Sequence, residues 1–310
     1  MVDPAAVAAG DIRALARALT LVERGGADAE ALLAGLRGGA ARHRTLGITG
    51  APGVGKSTLA QALGLLLVGA GRKVGVVAID PSSPFSGGAL LGDRVRMPEL
   101  VERGGFVRSM ATRGALGGVT AATADALDVL GAAGFEDILV ETVGVGQDEV
   151  DVSGLVDTVV VVTVAGLGDD VQAAKAGLFE VANVFAVNKA DRGGAEGEVA
   201  ALEAMLDLAP PGAWRPPVVP VSAADGSGVE RLLDAVDGHG RFLASDGRRD
   251  LLRRQRALRR LERLVSSMLW QRVEARPGRL AAAVAAVAVG NADPYEQARG
   301  LVHAVLSEER

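Results

Sequence analysis

The 310-residue sequence contains no cysteine, three histidines and few aromatic residues, which make up 3% of the chain. The lack of cysteine excludes disulfides and thiolate metal sites, as is usual in a reducing cytosol. The three histidines, His43, His239 and His303, are far apart in the sequence, so no histidine-rich metal site is expected.

The sequence also lacks a long apolar run and an excess of basic residues. Its net charge is −5, with 49% hydrophobic and 23% charged residues, which indicates a globular protein that binds neither nucleic acid nor an anionic membrane. The first residues, Met1–Pro4, include an acid where a secretory signal peptide carries basic residues. We therefore expect a cytoplasmic protein.

The segment Gly50–Ser57 fits the P-loop pattern G-x-x-x-x-G-K-[ST] at every fixed position. A β-prone run, residues 44–49, precedes it, and leucines at helical spacing follow it up to Val68, which is the strand–loop–helix context of a true P-loop. Lys56 is expected to reach the β- and γ-phosphates, and Ser57 to offer its hydroxyl to Mg²⁺. The alternative is a chance glycine-rich turn.

Two further segments supply carboxylates. The loop-like segment 81–97 is a candidate nucleotide-sensing switch, in which Asp93 either reaches the metal or caps a helix or pairs with an arginine. A predicted strand over 137–141 ends in Glu141, and Gly144 follows three residues later. Together they form an acid-x-x-Gly turn, in which the acid is expected to order Mg²⁺ and the glycine amide to contact the γ-phosphate. Glu141 stands where most such turns have Asp, and the alternative to the metal role is that Glu141 caps the strand end in solvent. Gln147 is the nearby side chain able to orient the attacking water.

The segment Asn188–Asp191, with the sequence Asn-Lys-Ala-Asp, follows a predicted strand at 184–187. The carboxylate of Asp191 can accept hydrogen bonds from N1–H and the exocyclic amine of guanine, whereas adenine offers an acceptor at N1. Alone the motif is weak, but it follows the P-loop and the acid-x-x-Gly turn in the expected order. The nucleotide is therefore predicted to be GTP or GDP, with backbone amides of residues 222–224 against the guanine O6.

Both ends of the chain are predicted to be helical. Residues 5–36 indicate two helices separated by Gly25-Gly26, and the last eighty residues include a heptad pattern from Leu251 to Leu269 with arginines on the opposite face. The heptad seam packs on its own nucleotide domain, on a second copy or on another protein, and the arginine face is either solvated or binds an acidic partner. We expect an N-terminal helical extension at 1–42, a GTPase domain at 43–245 and a C-terminal helical arm at 246–310.

Four segments of the sequence form a recognisable set: Asp80–Pro84, Gly87–Met97, Glu141–Gln147 and Asp293–Tyr295. Together they resemble the MeaB/MMAA family, older name ArgK. Members are P-loop GTPases of the SIMIBI class that chaperone adenosylcobalamin-dependent acyl-CoA mutases, chiefly methylmalonyl-CoA mutase. The resemblance implies an α/β fold with a mostly parallel sheet flanked by helices, and a homodimer joined through the C-terminal helices. It implies a role in gating cofactor loading into the mutase and in protecting it.

The resemblance also completes the predicted site. It implies Mg²⁺ ligands at Ser57, Asp80, Asp93 and Glu141; the predicted catalytic residues are Lys56, Asp93, Glu141 and Gln147. The predicted nucleotide contacts are Gly50, Gly53, Val54, Gly55, Lys56, Ser57, Thr58, Asn188, Lys189, Asp191, Ser222, Ala223 and Ala224. A third switch that answers to the mutase is implied at 168–175, where residues 165–170 read Ala-Gly-Leu-Gly-Asp-Asp instead of the family's Pro-Gly-Ala-Gly-Asp-Glu.

Two other functions are alternatives for a chain that binds GTP. A GTP-dependent metallochaperone that delivers nickel needs clusters of cysteine or histidine, which this sequence lacks. A transport-system kinase, as the older family name implies, transfers the phosphate of GTP to an acceptor rather than to water. Labelled nucleotide separates this kinase from a hydrolase.

Overall fold

The computed structural model describes residues 2–37, 43–81, 97–112, 118–142, 153–166, 179–210 and 212–307, and of residues 80–81, 111–112 and 118–120 the backbone alone. The strands are β1 Arg44–Thr49, β2 Val74–Pro81, β3 Phe106–Thr112, β4 Asp137–Glu141, β5 Thr158–Val164, β6 Val184–Asn188 and β7 Val218–Pro220. The helices are α1 Pro4–Ala8, α2 Ile12–Arg24, α3 Ala27–Leu36, α4 Lys56–Gly69, α5 Pro98–Glu102, α6 Gly118–Ala132, α7 Ala195–Leu208, α8 Val229–Ala244, α9 Arg248–Glu274, α10 Pro277–Ala288 and α11 Pro294–Ser307.

The described strands form one seven-stranded sheet in the order β3-β2-β4-β1-β5-β6-β7, and every pairing is parallel. The predicted α/β class is confirmed. β1 lies at the centre between β4 and β5, so the loop that follows it emerges between the carboxyl ends of its two neighbours. Ligands of open α/β sheets bind at this edge.

Helices cover both faces of the sheet, which explains why its strands are nearly continuous hydrophobic runs. In β5, Val159 and Val161 join the core beneath α1, α2, α3 and α6, whereas Val160 and Val162 join the core beneath α4 and α8. Alternate side chains of one strand thus supply two separate cores, as the two-residue repeat of a strand requires.

The N-terminal helices are arranged differently from the prediction of two helices. The separation at Gly25-Gly26 is confirmed, but a short helix, α1, precedes the longer two. Gly10 has a positive φ of 79°, and the Asp11 carboxylate accepts a hydrogen bond from the Ala14 amide at 2.6 Å, which starts α2. The glycine and the capping residue therefore divide the first apolar stretch.

Contacts between Cα atoms divide the chain into two compact units, Met1–Asp250 and Leu251–Arg310. The N-terminal helices belong to the first unit, and the boundaries expected at residues 42 and 245 stay predictions. The second unit consists of most of α9 with α10 and α11. The apolar side chains of α9 that are 38–59% exposed are Leu251, Leu258, Leu261, Leu264, Val265, Met268 and Trp270.

In the part of the chain that the structure describes, no helix is both long enough and apolar enough to cross a membrane.

Candidate nucleotide-binding site

The predicted P-loop connects β1 to α4 as expected. Gly50, Gly53 and Gly55 all have positive φ angles, of 141°, 77° and 96°. A Cβ atom at Gly50 would lie 2.2 Å from the carbonyl oxygen of Val162 on β5, so the loop rests directly on the neighbouring strand. Only glycine allows this close approach together with this backbone conformation.

The lysine of the motif is held inside the loop. Lys56 begins α4, is 6% exposed, and its Nζ donates to the carbonyl oxygens of Gly50 at 2.7 Å and Ala51 at 3.0 Å. Its ammonium group therefore lies beside the first residues of the loop, at the N-terminus of a fourteen-residue helix. Both the cation and the helix dipole favour an anion at this position.

The serine of the motif contacts the predicted acid. The hydroxyl of Ser57 donates to Oε1 of Glu141, the last residue of β4, and Glu141 is 4% exposed. The parallel register pairs Glu141 with Ile48 of β1, which brings the end of β4 beside the start of the P-loop. The structure thus brings together two of the four residues predicted to hold Mg²⁺.

The oxygen atoms of Ser57 and Glu141 are a suitable start for a Mg²⁺ site. Mg²⁺ takes oxygen ligands, keeps several waters, and is commonly bound by one or two carboxylates together with substrate phosphates. Within the described ranges no group of three or more His, Cys, Asp or Glu residues could hold a metal by itself. The Ser57–Glu141 pair therefore fits a metal that the nucleotide helps to bind.

The guanine motif is attached to the P-loop through side-chain hydrogen bonds. The carboxamide of Asn188, which is 3% exposed, donates to the carbonyl oxygen of Val54 at 2.8 Å and accepts from the amide of Ala223 at 3.0 Å. Nζ of Lys189 donates to the carbonyl oxygen of Gly53 at 2.7 Å. Val54 itself is 1% exposed. Phosphate loop, guanine motif and the loop after β7 therefore form one connected site.

The residue predicted to recognise guanine lies at the surface of this site. Lys189 adopts a left-handed conformation with φ of 59°, and the chain then forms a short 3₁₀ helix, Ala190–Arg192, that contains Asp191. The side chain of Asp191 is 39% exposed, and its Oδ2 lies 4.0 Å from Nε of Arg192. A pair this long and this exposed holds the carboxylate weakly, so Asp191 can accept donors from a base.

The loop after β7 borders an open cavity of ≈ 750 Å³ between α4 and α8. Thr58, Ala223 and Ala224, three predicted nucleotide contacts, line it. The amide of Ser227 donates to Oδ1 of Asp225 at 2.8 Å, which lowers the pKa of that exposed carboxyl group and shapes the loop. The predicted contacts from α4 and from this loop therefore face a common space.

Some predicted site residues lie wholly or partly outside the described part of the chain. The backbone of Asp80 lies near the C-terminal end of β2, the expected edge of the sheet, but its side chain is not among the described groups. Asp93, Gln147 and the third switch at 168–175 also lie outside the described residues. Their roles stay predictions.

Sequence reasoning missed one pair of residues at this site. Thr49, the last residue of β1, and Thr142, the residue after β4, are 2% and 1% exposed, and the Thr142 hydroxyl donates to that of Thr49 at 3.1 Å. Each threonine stands beside a recognised motif, which is the signal that could have pointed to it. The pairing itself depends on the register of β1 with β4.

Two buried titratable groups, Asp137 and His239, lie near the amino ends of the strands, away from the nucleotide-binding site. Burial raises the pKa of Asp137, against the opposing effect of Arg44 and Arg72, whose Nε atoms each lie 2.6 Å from its carboxylate. Burial lowers the pKa of His239 to about 4; its Nδ1 lies 2.9 Å from the hydroxyl of Thr158. Both groups therefore belong to the packing of the fold at the edge of the sheet opposite the nucleotide-binding site.

The parallel sheet, the P-loop and the guanine motif attached to it define a P-loop GTPase. Comparison with known families names it more closely. The model of the family described as methylmalonyl Co-A mutase-associated GTPase MeaB matches residues 15–278, so the chain belongs to the MeaB family. The family predicted from the sequence is thereby confirmed.

Individual relatives agree with this placement. The chain is 45% identical over 304 residues to a putative GTPase of Pyrococcus abyssi, covering 96% of this chain and 94% of that protein. It is 38% identical over 200 residues to the mouse methylmalonic aciduria type A homolog, mitochondrial, covering 62% of this chain and 48% of the mouse protein. A crystal structure named LAO/AO transport system kinase matches with a TM-score of 0.71 and 26% identity, covering 98% of this chain and 96% of that one.

Proposed function

We propose that this chain is a cytoplasmic, Mg²⁺-dependent GTP hydrolase that serves an adenosylcobalamin-dependent acyl-CoA mutase. In this role GTP hydrolysis gates cofactor loading into the mutase and protects it. The observation that carries the proposal is membership of a family described as methylmalonyl Co-A mutase-associated. The hydrogen bonds that join the guanine motif to the P-loop support the nucleotide-binding part of the proposal.

Phosphate binding falls to the P-loop and Lys56. In the proposed nucleotide complex the Lys56 ammonium, which lies beside the carbonyl oxygens of Gly50 and Ala51, contacts the β- and γ-phosphates. Removal of the amine, as in Lys56→Ala, is expected to abolish GTP binding or hydrolysis.

Mg²⁺ would be held by Ser57 and Glu141, with Asp80 and Asp93 as further predicted ligands. When bound, the ion neutralises charge that develops on the β- and γ-phosphate oxygens. The hydroxyl of Ser57 faces the Glu141 carboxylate, so both oxygens lie together at the N-terminus of α4. Gln147 is proposed to orient the attacking water.

Guanine selectivity is proposed to reside in Asp191. Asp191→Asn turns one acceptor of the carboxylate into an amide donor, which matches the second carbonyl of xanthine better than the exocyclic amine of guanine. The variant should bind xanthosine triphosphate in preference to GTP, measured by competition against a fluorescent nucleotide. Unchanged preference for GTP would show that Asp191 does not read the base, while Lys56→Ala provides a control that loses both nucleotides.

Service to a mutase is tested by hydrolysis assays with and without the cognate enzyme. Catalysis by charge stabilisation and water positioning is slow in GTPases that obtain catalytic groups from a partner, so we expect slow turnover alone and faster turnover with the mutase. Loading of adenosylcobalamin into the apo-mutase should require hydrolysable GTP. Absence of both stimulation and a complex would disprove the chaperone role.

A second candidate function is phosphate transfer to an acceptor in a transport system. The name of the matching crystal structure, LAO/AO transport system kinase, favours including it. With γ-labelled GTP, a hydrolase releases all label as inorganic phosphate, whereas a kinase retains label on an acceptor. Retained label that disappears in the Lys56→Ala variant would replace hydrolysis with kinase activity as the function.

A further inference from the structure

Two buried threonines join β1 and β4 beside the phosphate site. The Thr142 hydroxyl donates to Oγ1 of Thr49 at 3.1 Å, and the Thr142 amide donates to the carbonyl oxygen of Ile48, also at 3.1 Å. Both side chains are almost completely enclosed. Valine has the same shape and favours strands, so a hydroxyl at each position costs desolvation that the mutual hydrogen bond offsets.

The position of this pair ties it to the metal-binding oxygens. Thr49 immediately precedes Gly50, the first residue of the P-loop, and Thr142 immediately follows Glu141. Glu141 in turn accepts the hydroxyl of Ser57. The threonine bond and the Ser57–Glu141 bond therefore connect the same two segments, one at the root of the loop and one at its far end.

We propose that Thr49 and Thr142 are positioning residues that set the separation between the Ser57 hydroxyl and the Glu141 carboxylate for Mg²⁺. The proposal rests on the proposed Mg²⁺-dependent nucleotide binding. Mg²⁺ demands near-ideal octahedral geometry at short distances, so a small displacement of Glu141 from Ser57 weakens its binding. A nucleotide bound without metal depends on the loop amides and Lys56 and is much less sensitive to that separation.

The test is the Mg²⁺ concentration at which release of a fluorescent GDP analogue is half-maximally slowed. In Thr142→Val the Thr49 hydroxyl loses its donor and the hydrogen bond between the segments is gone, so we expect this midpoint to rise three- to tenfold. GDP affinity in EDTA should stay within twofold of the wild-type value. Thr142→Ser keeps the hydroxyl and should restore the midpoint.

Thr158→Val is the matched control. Thr158 is a fully buried threonine at the start of β5, at the opposite edge of the sheet, and its hydroxyl bonds to His239 at 2.9 Å. It should lower the melting temperature about as much as Thr142→Val does, and leave the Mg²⁺ midpoint unchanged. Stability and metal positioning are thereby separated.

The double variant Thr49→Val/Thr142→Val sharpens the distinction. It leaves no hydroxyl unpaired, so the melting temperature should recover relative to Thr142→Val while the Mg²⁺ midpoint stays raised, since the bond between the segments is still missing. A midpoint in Thr142→Val within twofold of wild type, or an equal rise in Thr158→Val, would overturn the positioning role. Wild-type protein that neither retains GDP in a Mg²⁺-dependent manner nor hydrolyses GTP would instead refute the proposed function itself, and the inference with it.

Discussion

Replacement of Gly50 by alanine tests how tightly the P-loop rests on the sheet. The added Cβ would lie 2.2 Å from the Val162 carbonyl oxygen, about 1 Å closer than the ~3.3 Å at which carbon and oxygen make a close favourable contact. The φ angle of 141° is also one that residues other than glycine rarely adopt, at a cost of about 1–3 kcal/mol. To relieve the overlap, the loop must move away from β5.

The expected loss for Gly50→Ala is about 3 kcal/mol or more in the free energy of unfolding. For a unit of this size that corresponds to a fall of about 6–12 °C in the melting temperature. A displacement of about 1 Å at a reacting group costs on the order of 100-fold in rate, so GTP hydrolysis should fall by about that factor. Calorimetry and a phosphate-release assay measure the two effects.

Gly53→Ala is the matched control within the same loop. Gly53 has a φ of 77°, and no atom lies within 4 Å of the position its Cβ would take. The left-handed conformation costs about 1–2 kcal/mol, and the stiffer unfolded chain offsets part of this, so the net change is expected to be about 1 kcal/mol. Equal losses in the two variants, or an unaffected Gly50→Ala, would show that contact with β5 does not shape the loop.

Three further predictions concern pH, the guanine loop and assembly. His239 has a pKa of about 4 in the folded protein and ~6.5 in the unfolded chain. Its contribution to the free energy of unfolding is therefore complete above pH 6.5 and falls by up to about 3 kcal/mol as the pH drops to 4, which urea unfolding measures. The variant His239→Gln should lose this pH dependence. Asn188→Ala removes two hydrogen bonds, so it should lower the free energy of unfolding by about 2–3 kcal/mol and abolish GDP binding. The control Asn183→Ala, at the other end of β6, removes one hydrogen bond, so it should lower the free energy of unfolding by about 1 kcal/mol and leave GDP binding intact. The exposed Leu258 is expected to lie in a homodimer interface; Leu258→Glu should give monomers by sedimentation equilibrium, and Ser267→Glu, on the opposite side of α9, should not.

The central features of the fold could be predicted because they depend on local patterns. The Val run of β5 indicates a strand covered on both faces, and the P-loop glycines indicate a turn between strand and helix. The division between α1 and α2 was missed because both apolar stretches follow one helical spacing across Gly10. The conformation of that glycine and the cap by Asp11 decided where the second helix begins.

The contacts within the site were harder to predict from sequence. Motifs name Asn188 and Lys189 for guanine, but their bonds to Val54 and Gly53 depend on how the end of β6 meets the P-loop in space. The bond between Thr49 and Thr142 likewise depends on strand register, which no local pattern specifies. Motif reasoning therefore assigns roles to side chains more readily than it finds the contacts that hold them.

The double contact of Asn188 has a consequence for the synthesis of the chain. One carboxamide joins segments that are 134 and 35 residues away from it in sequence, at Val54 and Ala223. A nascent chain that ends before Ala223 carries the complete phosphate loop but lacks one of the two partners that fix the Asn188 side chain. Both partners of the Asn188 side chain are therefore present only after synthesis has passed Ala223, which lies beyond β7, the last strand of the described sheet.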